Sequence, residues 1–146
     1  GRAFEAVLFV DLYPNSQIEI FVQILQADGG EAAACITATT LAMVDAGIPM
    51  RDFLVACTAG YIDEVPLIDI NRMEIAAGGP ELPVAILPQS KKVAFLQMDS
   101  KVALEMFDEV LATAVAGCGM VHKVLEDAIR SHAHSKLESR GIVYNR

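Results

Sequence analysis

From Gln17 to Ala27 apolar and polar residues alternate, with Ile18, Ile20, Val22 and Ile24 on one side and Gln17, Glu19 and Gln23 on the other. A period of two predicts a strand with one well-buried face, and Phe21 and Leu25 show that the second face is partly covered too. Asp28-Gly29-Gly30 breaks that strand. An Ala-rich stretch from Glu31 to Ala46 then has high helix propensity, and Gly47 with Pro49 just beyond ends it. Phe53 to Ile62 reads as a buried strand, Leu67 to Asp69 as a short partner strand, and Asn71 to Ala77 is ambiguous. Glu81–Leu87 and Val93–Met98 form a hairpin around Pro88-Gln89-Ser90-Lys91. Leu104, Phe107, Leu111, Ala114, Cys118, Val121, Leu125 and Ile129 recur every three or four residues, which predicts a long amphipathic helix. Gly117 and Gly119 inside it point to close packing or a bend.

At the start, residues 1–10 read as the end of a helix begun upstream, because no N-cap residue precedes them. At the other end, about 135–146 is polar and is expected to fray. The order strand, helix, several strands, long helix makes this an α+β chain, with helices on a mostly antiparallel or mixed sheet.

Composition narrows the picture. The 146 residues fit one domain, and although 53% are hydrophobic, no apolar run approaches the roughly 20 residues of a bilayer span. The expectation is a soluble chain, with no membrane partner and no secretory leader. Cys35, Cys57 and Cys118 are odd in number and show no paired spacing, so they read as free thiols in a reducing compartment. His122, His132 and His134 do not have the spacing that converges on one ion, and no metal or cofactor is expected. The formal charge of −8 excludes a broad nucleic-acid-binding surface, leaving a local basic spot or a shared wall as the route to RNA.

Three segments stand out: Gln26-Ala27-Asp28-Gly29-Gly30, Asp45-Ala46-Gly47-Ile48-Pro49-Met50-Arg51-Asp52, and Asp69-Ile70-Asn71 followed by Ala76-Ala77-Gly78-Gly79. Together they resemble the RNase PH superfamily, and within it the exosome ring subunits descended from the archaeal catalytic subunit. The resemblance runs across nearly the whole chain but covers only the second half of the family's usual length, so residues 1–146 read as a partial RNase PH-like domain. It implies an RNase PH-type fold, with a mixed sheet and a left-handed βαβ crossover. It also implies a hexameric ring with other RNase PH-like exosome subunits, RNA-binding cap subunits and RNA as partners, and a place in nucleus and nucleolus as well as cytoplasm. In active members it implies phosphate-dependent degradation of RNA from the 3′ end.

Phosphorolysis needs a seat for inorganic phosphate, a positive charge to hold it, and an acid for the leaving 3′ oxygen. The helix start after Asp28-Gly29-Gly30 could offer backbone N–H groups. Active relatives follow the two glycines with a small hydroxyl residue and then a phosphate-binding arginine. Here Glu31 and Ala32 occupy those places. Asp69 matches the first of two family aspartates, the second is Ile75, and Glu74 is one residue early. Asp28, Gly29, Gly30, Glu31 and Ala32 are thus the expected remnant of a phosphate site, and Asp69 a vestigial acid.

Simpler roles exist for each. Asp28 reads first as a helix N-cap, Asp69 as a turn or cap residue, and Arg51-Asp52 equally as a surface ion pair. Arg51, Lys91 and Lys92 are the candidates for RNA contact. The expected function is a non-catalytic exosome ring subunit. The alternatives are an active phosphorolytic 3′→5′ exoribonuclease and a free-standing small-molecule-binding domain.

Overall fold

The computed structural model describes residues 4, 7–9, 17–98 and 103–141. Its elements run α1 (Glu31–Asp45), β1 (Val55–Ile62), β2 (Val65–Ile68), α2 (Arg72–Ala76), β3 (Glu81–Leu87), β4 (Lys92–Leu96) and α3 (Leu104–Ser139). The four strands make one sheet in the order β2-β1-β3-β4. Every pairing in it is antiparallel, in keeping with the α+β expectation of a mostly antiparallel or mixed sheet. β2 and β3 both oppose β1, so they run parallel to each other on either side of it, and α2 carries the chain between them.

Local chemistry explains most boundaries. Ile48 N–H donates to Met43 O and Gly47 N–H to Val44 O, a Schellman ending with Gly47 at φ 73°. Asp63 and Glu64, both at positive φ, form the two-residue turn between β1 and β2, whose twist matches that of the strands it joins. The ambiguous stretch at Asn71–Ala77 resolves into α2 because Asn71 and Glu74 form a reciprocal capping box, Glu74 N–H to Asn71 Oδ1 at 3.0 Å and Asn71 N–H to Glu74 Oε2 at 2.7 Å.

The sheet is covered on both faces. Val55, Cys57 and Ala59 of β1 and Leu82, Val84 and Ile86 of β3 pack against Val110, Ala114, Cys118 and Leu125 of α3. The opposite side joins Ala56 and Ala85 to Ala33 and Met43 of α1, with Phe4, Val7 and Leu54. Burying each large aliphatic side chain here contributes about 1.5–3 kcal/mol. A Cβ on Gly117 would lie 2.6 Å from Cys57 Sγ, so this glycine lets α3 press onto β1. Gly119 faces open space, so of the two glycines only Gly117 answers the expectation of close packing.

Other expectations are corrected. Gln17–Ala27 forms no strand among the described residues, and its apolar side chains are exposed, Phe21 by 88% and Leu25 by 90%. Alternation encodes which face seeks burial; a strand also needs a hydrogen-bonding neighbour, and none of β1–β4 supplies one. At the start, Phe4 is helical, but Leu8 already bridges to Met50; most of the expected helix at 1–10 lies outside the described residues. The polar tail expected to fray from about residue 135 is helical up to Ser139. α3 continues through Ser139, supported by the i,i+4 pair His134–Glu138 at 3.3 Å and by Lys136 reaching Asp45; residues 142–146 lie outside the described residues. No helix among the described residues is long and apolar enough to cross a membrane.

Two predictions follow from these contacts. Gly117→Ala should destabilise the chain by about 1–3 kcal/mol through overpacking, whereas Gly119→Ala should stabilise it by about 1 kcal/mol; thermal melts of the two variants should shift in opposite directions. The exposed apolar run at 17–26 should drive self-association that Ile20→Lys with Ile24→Lys relieves. Sedimentation velocity reads this, and a monodisperse monomer of the unaltered chain at high concentration would refute it.

Candidate functional site

The first and third sequence segments meet in space. Asp28 O accepts a hydrogen bond from Arg72 N–H at 2.8 Å, which seats the Asp28–Gly30 loop on the turn between β2 and α2. A Cβ on Gly29 would fall 2.5 Å from Ile70 O, and Gly29 also needs φ 100°, so no other residue fits there without rearrangement. Gly30, at φ 68°, is itself the N-cap of α1, and a Cβ on it would lie 3.2 Å from Asp69 Oδ1. Asp28 is therefore not the cap: two left-handed glycines stand between it and the helix, and no side chain caps α1.

Asp69 is exposed, at φ 59°, with its N–H donating to Thr58 O at 2.7 Å. It borders a cavity of about 370 Å³ with Gly29, Gly30, Cys57 and Gly117. Thr58 Oγ1 is buried close to Gly30 and has no hydrogen-bond partner among the described residues. Around the corner, Glu31, Ala32 and Ile75, the three positions expected to depart from the active pattern, line one cleft of about 530 Å³. Gly78, Gly79, Pro83, Gln97 and Glu81 complete it, so the cleft presents two carboxylates and no basic side chain among its described lining. Glu31 turns back so that its Oε1 accepts from Gly29 N–H at 3.4 Å, and at the first turn of α1 its charge also meets the positive end of the helix dipole. Glu74 is tied to Asn71 by the capping box, so it does not stand in for Ile75.

The middle segment belongs elsewhere. It closes α1 and then places Asp52, which is buried and accepts from Gln89 N–H and Ser90 N–H at 3.0 and 3.1 Å. That pins the β3–β4 turn carrying Lys91 and Lys92. Arg51 makes no ion pair with Asp52, as the simpler reading had it; its guanidinium lies 5.0 Å from the centre of the Phe9 ring. These basic candidates sit at the far end of β3 from Glu81, roughly 20 Å away along the strand, and are not brought to the cleft. The histidines disperse as well: His122 packs on Phe53, His132 meets Asp45 and His134 meets Glu138.

Sequence reading missed Glu81 and Gln97, because nothing local marks a strand's first residue or a residue just past a strand as part of a cleft. It also missed how inert the neighbouring thiols are. Burial, and then the Asp69 carboxylate, push the Cys57 thiol up; burial, and then Cys57, push Cys118 up to about 12. Both thiols stay neutral near pH 8 and are poor nucleophiles. Their raised values favour the fold below the ordinary thiol range, and that contribution fades as pH rises through the folded values.

Comparison with known proteins places this geometry. The sequence matches the 3′ exoribonuclease family, domain 1, over residues 1–49 and domain 2 of the same family over residues 52–117. The chain belongs to the 3′ exoribonuclease family, with its RNase PH-type fold. It is 47% identical over 140 residues to the exosome complex component RRP41 of Mus musculus, covering 96% of this chain and 57% of the mouse protein. The Arabidopsis thaliana RRP41 homolog is 47% identical over 95% of the chain and 57% of its own length, and Rrp41 of Pyrococcus horikoshii 39% identical over 88% and 51%. The chain thus spans about half the length of these relatives. Among solved structures, rice Rrp46 superposes with a TM-score of 0.82 at 18% identity, over 88% of this chain and 62% of that one. The Archaeoglobus fulgidus exosome with RNA bound to the active site superposes at 0.51 and 19%, over 68% and 44%. At these identities the structural likeness concerns the fold.

Native chain treated with iodoacetamide at pH 8 should be modified at half-buried Cys35 well before Cys118. Mass spectrometry checks this, and early labelling of Cys118 would mean that the core between β1 and α3 opens readily.

Proposed function

We propose that this chain acts as a non-catalytic, RNase PH-like ring subunit of an RNA exosome, helping to build a hexameric ring and forming part of the wall of its RNA path. The supporting observation is the cleft itself: Glu31, Ala32 and Ile75 lie together, beside Glu81, with no cation in the described lining. An anionic co-substrate brought to a polyanionic chain needs positive charge in place, and removing such electrostatic groups typically costs orders of magnitude in rate. Two carboxylates there repel phosphate instead. Family membership and relatives that are named exosome components supply the setting. On this reading the partners are other RNase PH-like ring subunits, RNA-binding cap subunits and RNA, in nucleus, nucleolus and cytoplasm. Arg51, Lys91 and Lys92, at the opposite end from the cleft, are then candidates for contact with RNA or a neighbouring subunit.

One observation favours an enzyme. Asp69 stands beside Gly30 and the start of α1, where an acid and an anion seat would be neighbours. In that alternative Asp69 is the general acid of a phosphate-dependent 3′→5′ exoribonuclease and Gly29 and Gly30 hold the phosphate. The test is to co-express the chain with RNase PH-like ring subunits and to follow a labelled RNA with and without inorganic phosphate. The expected outcome is no phosphate-dependent release of nucleoside diphosphates above rings carrying Asp69→Asn. Robust release that Asp69→Asn abolishes would establish the enzyme and overturn the scaffold reading.

A further inference from the structure

The last third of α3 leaves the sheet behind. Its last buried residue is Leu125, yet the helix continues to Ser139, an arm of roughly 20 Å. Between this arm and the end of α1 runs a groove of about 550 Å³. Its floor is aliphatic, built from Leu41 and Val44 of α1 and from Ala128, Ile129 and Ala133 of α3. Along its rim stand Asp45, His132, Lys136 and Arg140. Asp45 meets His132 Nε2 at 3.0 Å and is also paired with Lys136 Nζ, so one carboxylate serves two basic groups. The Arg140 guanidinium has no ion-pair or hydrogen-bond partner among the described residues.

This rim reverses the sign of the rest of the molecule. The groove lining carries Lys136 and Arg140 against Asp45, a local basic excess on a chain of net charge −8. A basic rim over an aliphatic floor selects a ligand that is apolar on one side and acidic at its edges. It does not suit nucleic acid, because single-stranded bases are held by stacking on aromatic rings and the floor has none. Two helices flanking a trough match the way an amphipathic helix is received, with anchors at three- and four-residue spacing.

We infer that the α1–α3 groove is a docking site for an acidic amphipathic helix of a partner protein, whose aliphatic side chains fill the floor and whose carboxylates meet Lys136 and Arg140. The incoming acid completes the charge balance that Asp45 only begins. Ala128 and Ala133 are the residues that leave room for it. The inference rests on this groove alone and is independent of whether the cleft at Glu31 is catalytic.

The probe is a short designed helix with leucines along one face and glutamates on its flanks, fluorescein-labelled and titrated with the 146-residue chain. Anisotropy should show saturable binding that weakens about tenfold in Ala133→Trp, which fills the trough at an exposed position, and about fivefold in Arg140→Glu. The same peptide with lysines for glutamates should not bind. Ile20→Lys with Ile24→Lys should leave binding unchanged, separating this groove from the sticky segment at 17–26. Absence of binding, equal binding of the lysine peptide, or wild-type affinity in both groove variants with unaltered circular dichroism would overturn the proposal. A labelled oligoadenylate RNA whose binding is lost in Ala133→Trp and Arg140→Glu would do so as well, by assigning the groove to nucleic acid.

Discussion

β1 is the strand against which everything else is positioned. It is buried on both faces and narrow, carrying Ala56, Cys57, Ala59 and Gly60 where bulkier side chains would hold the helices away. Gly117 of α3 depends on that narrowness to approach Cys57, and a Cβ on Gly60 would lie 2.6 Å from Ile70 Cδ1. The same strand holds β2 and β3 on its two edges, and its Thr58 carbonyl receives the Asp69 N–H. Packing density near that of a crystal leaves little slack, so a shift of β1 would be felt at once by both helices and by the turn at Asp69.

The cleft inherits its shape from that strand and not from its own side chains. The turn at Asp69 to Arg72 is hung from Thr58, and the Asp28–Gly30 loop is seated on that turn through the Asp28–Arg72 backbone bond and the missing Cβ of Gly29. These are main-chain and glycine constraints, which persist whatever residues follow at positions 31, 32 and 75. Architecture and side-chain chemistry are thus separable here: main-chain and glycine contacts set the cleft, while Glu31, Ala32, Ile75 and Glu81 supply part of its lining.

Elements with a strong local period were legible in the sequence: α1, β1, the β3–β4 hairpin and the length of α3 up to Ile129. Their pattern and caps point the same way, so local and global preferences agree. Gln17–Ala27 was misread because alternation reports a face and not a partner. The capping box at Asn71 and Glu74 was visible in principle, as an Asn followed three residues later by Glu, yet the short apolar content around it fitted strand and helix alike. For the site, the resemblance singled out Glu31, Ala32 and Ile75, and only the fold could show that they line one cleft. The separation of Arg51, Lys91 and Lys92 from them, and the Asp45–His132 contact across 87 positions, are products of topology that no spacing encodes.

The two ends of α1 make a final connection between these regions. Its first turn carries Glu31, the favourable sign at a helix N-terminus, and the side chain reaches back to the Gly29 N–H. Its last turn has no basic residue and ends on Asp45, the unfavourable sign. The basic groups that answer this end come from α3, as His132 and Lys136, and they hold the Asp45 carboxyl below the usual carboxylate range, Lys136 contributing most. The helix dipole is therefore answered at both ends by the chain itself, by a carboxylate in the cleft and by a borrowed basic pair at the groove. A helix so compensated has little electrostatic need of a bound anion at its start, because Glu31 already supplies negative charge there.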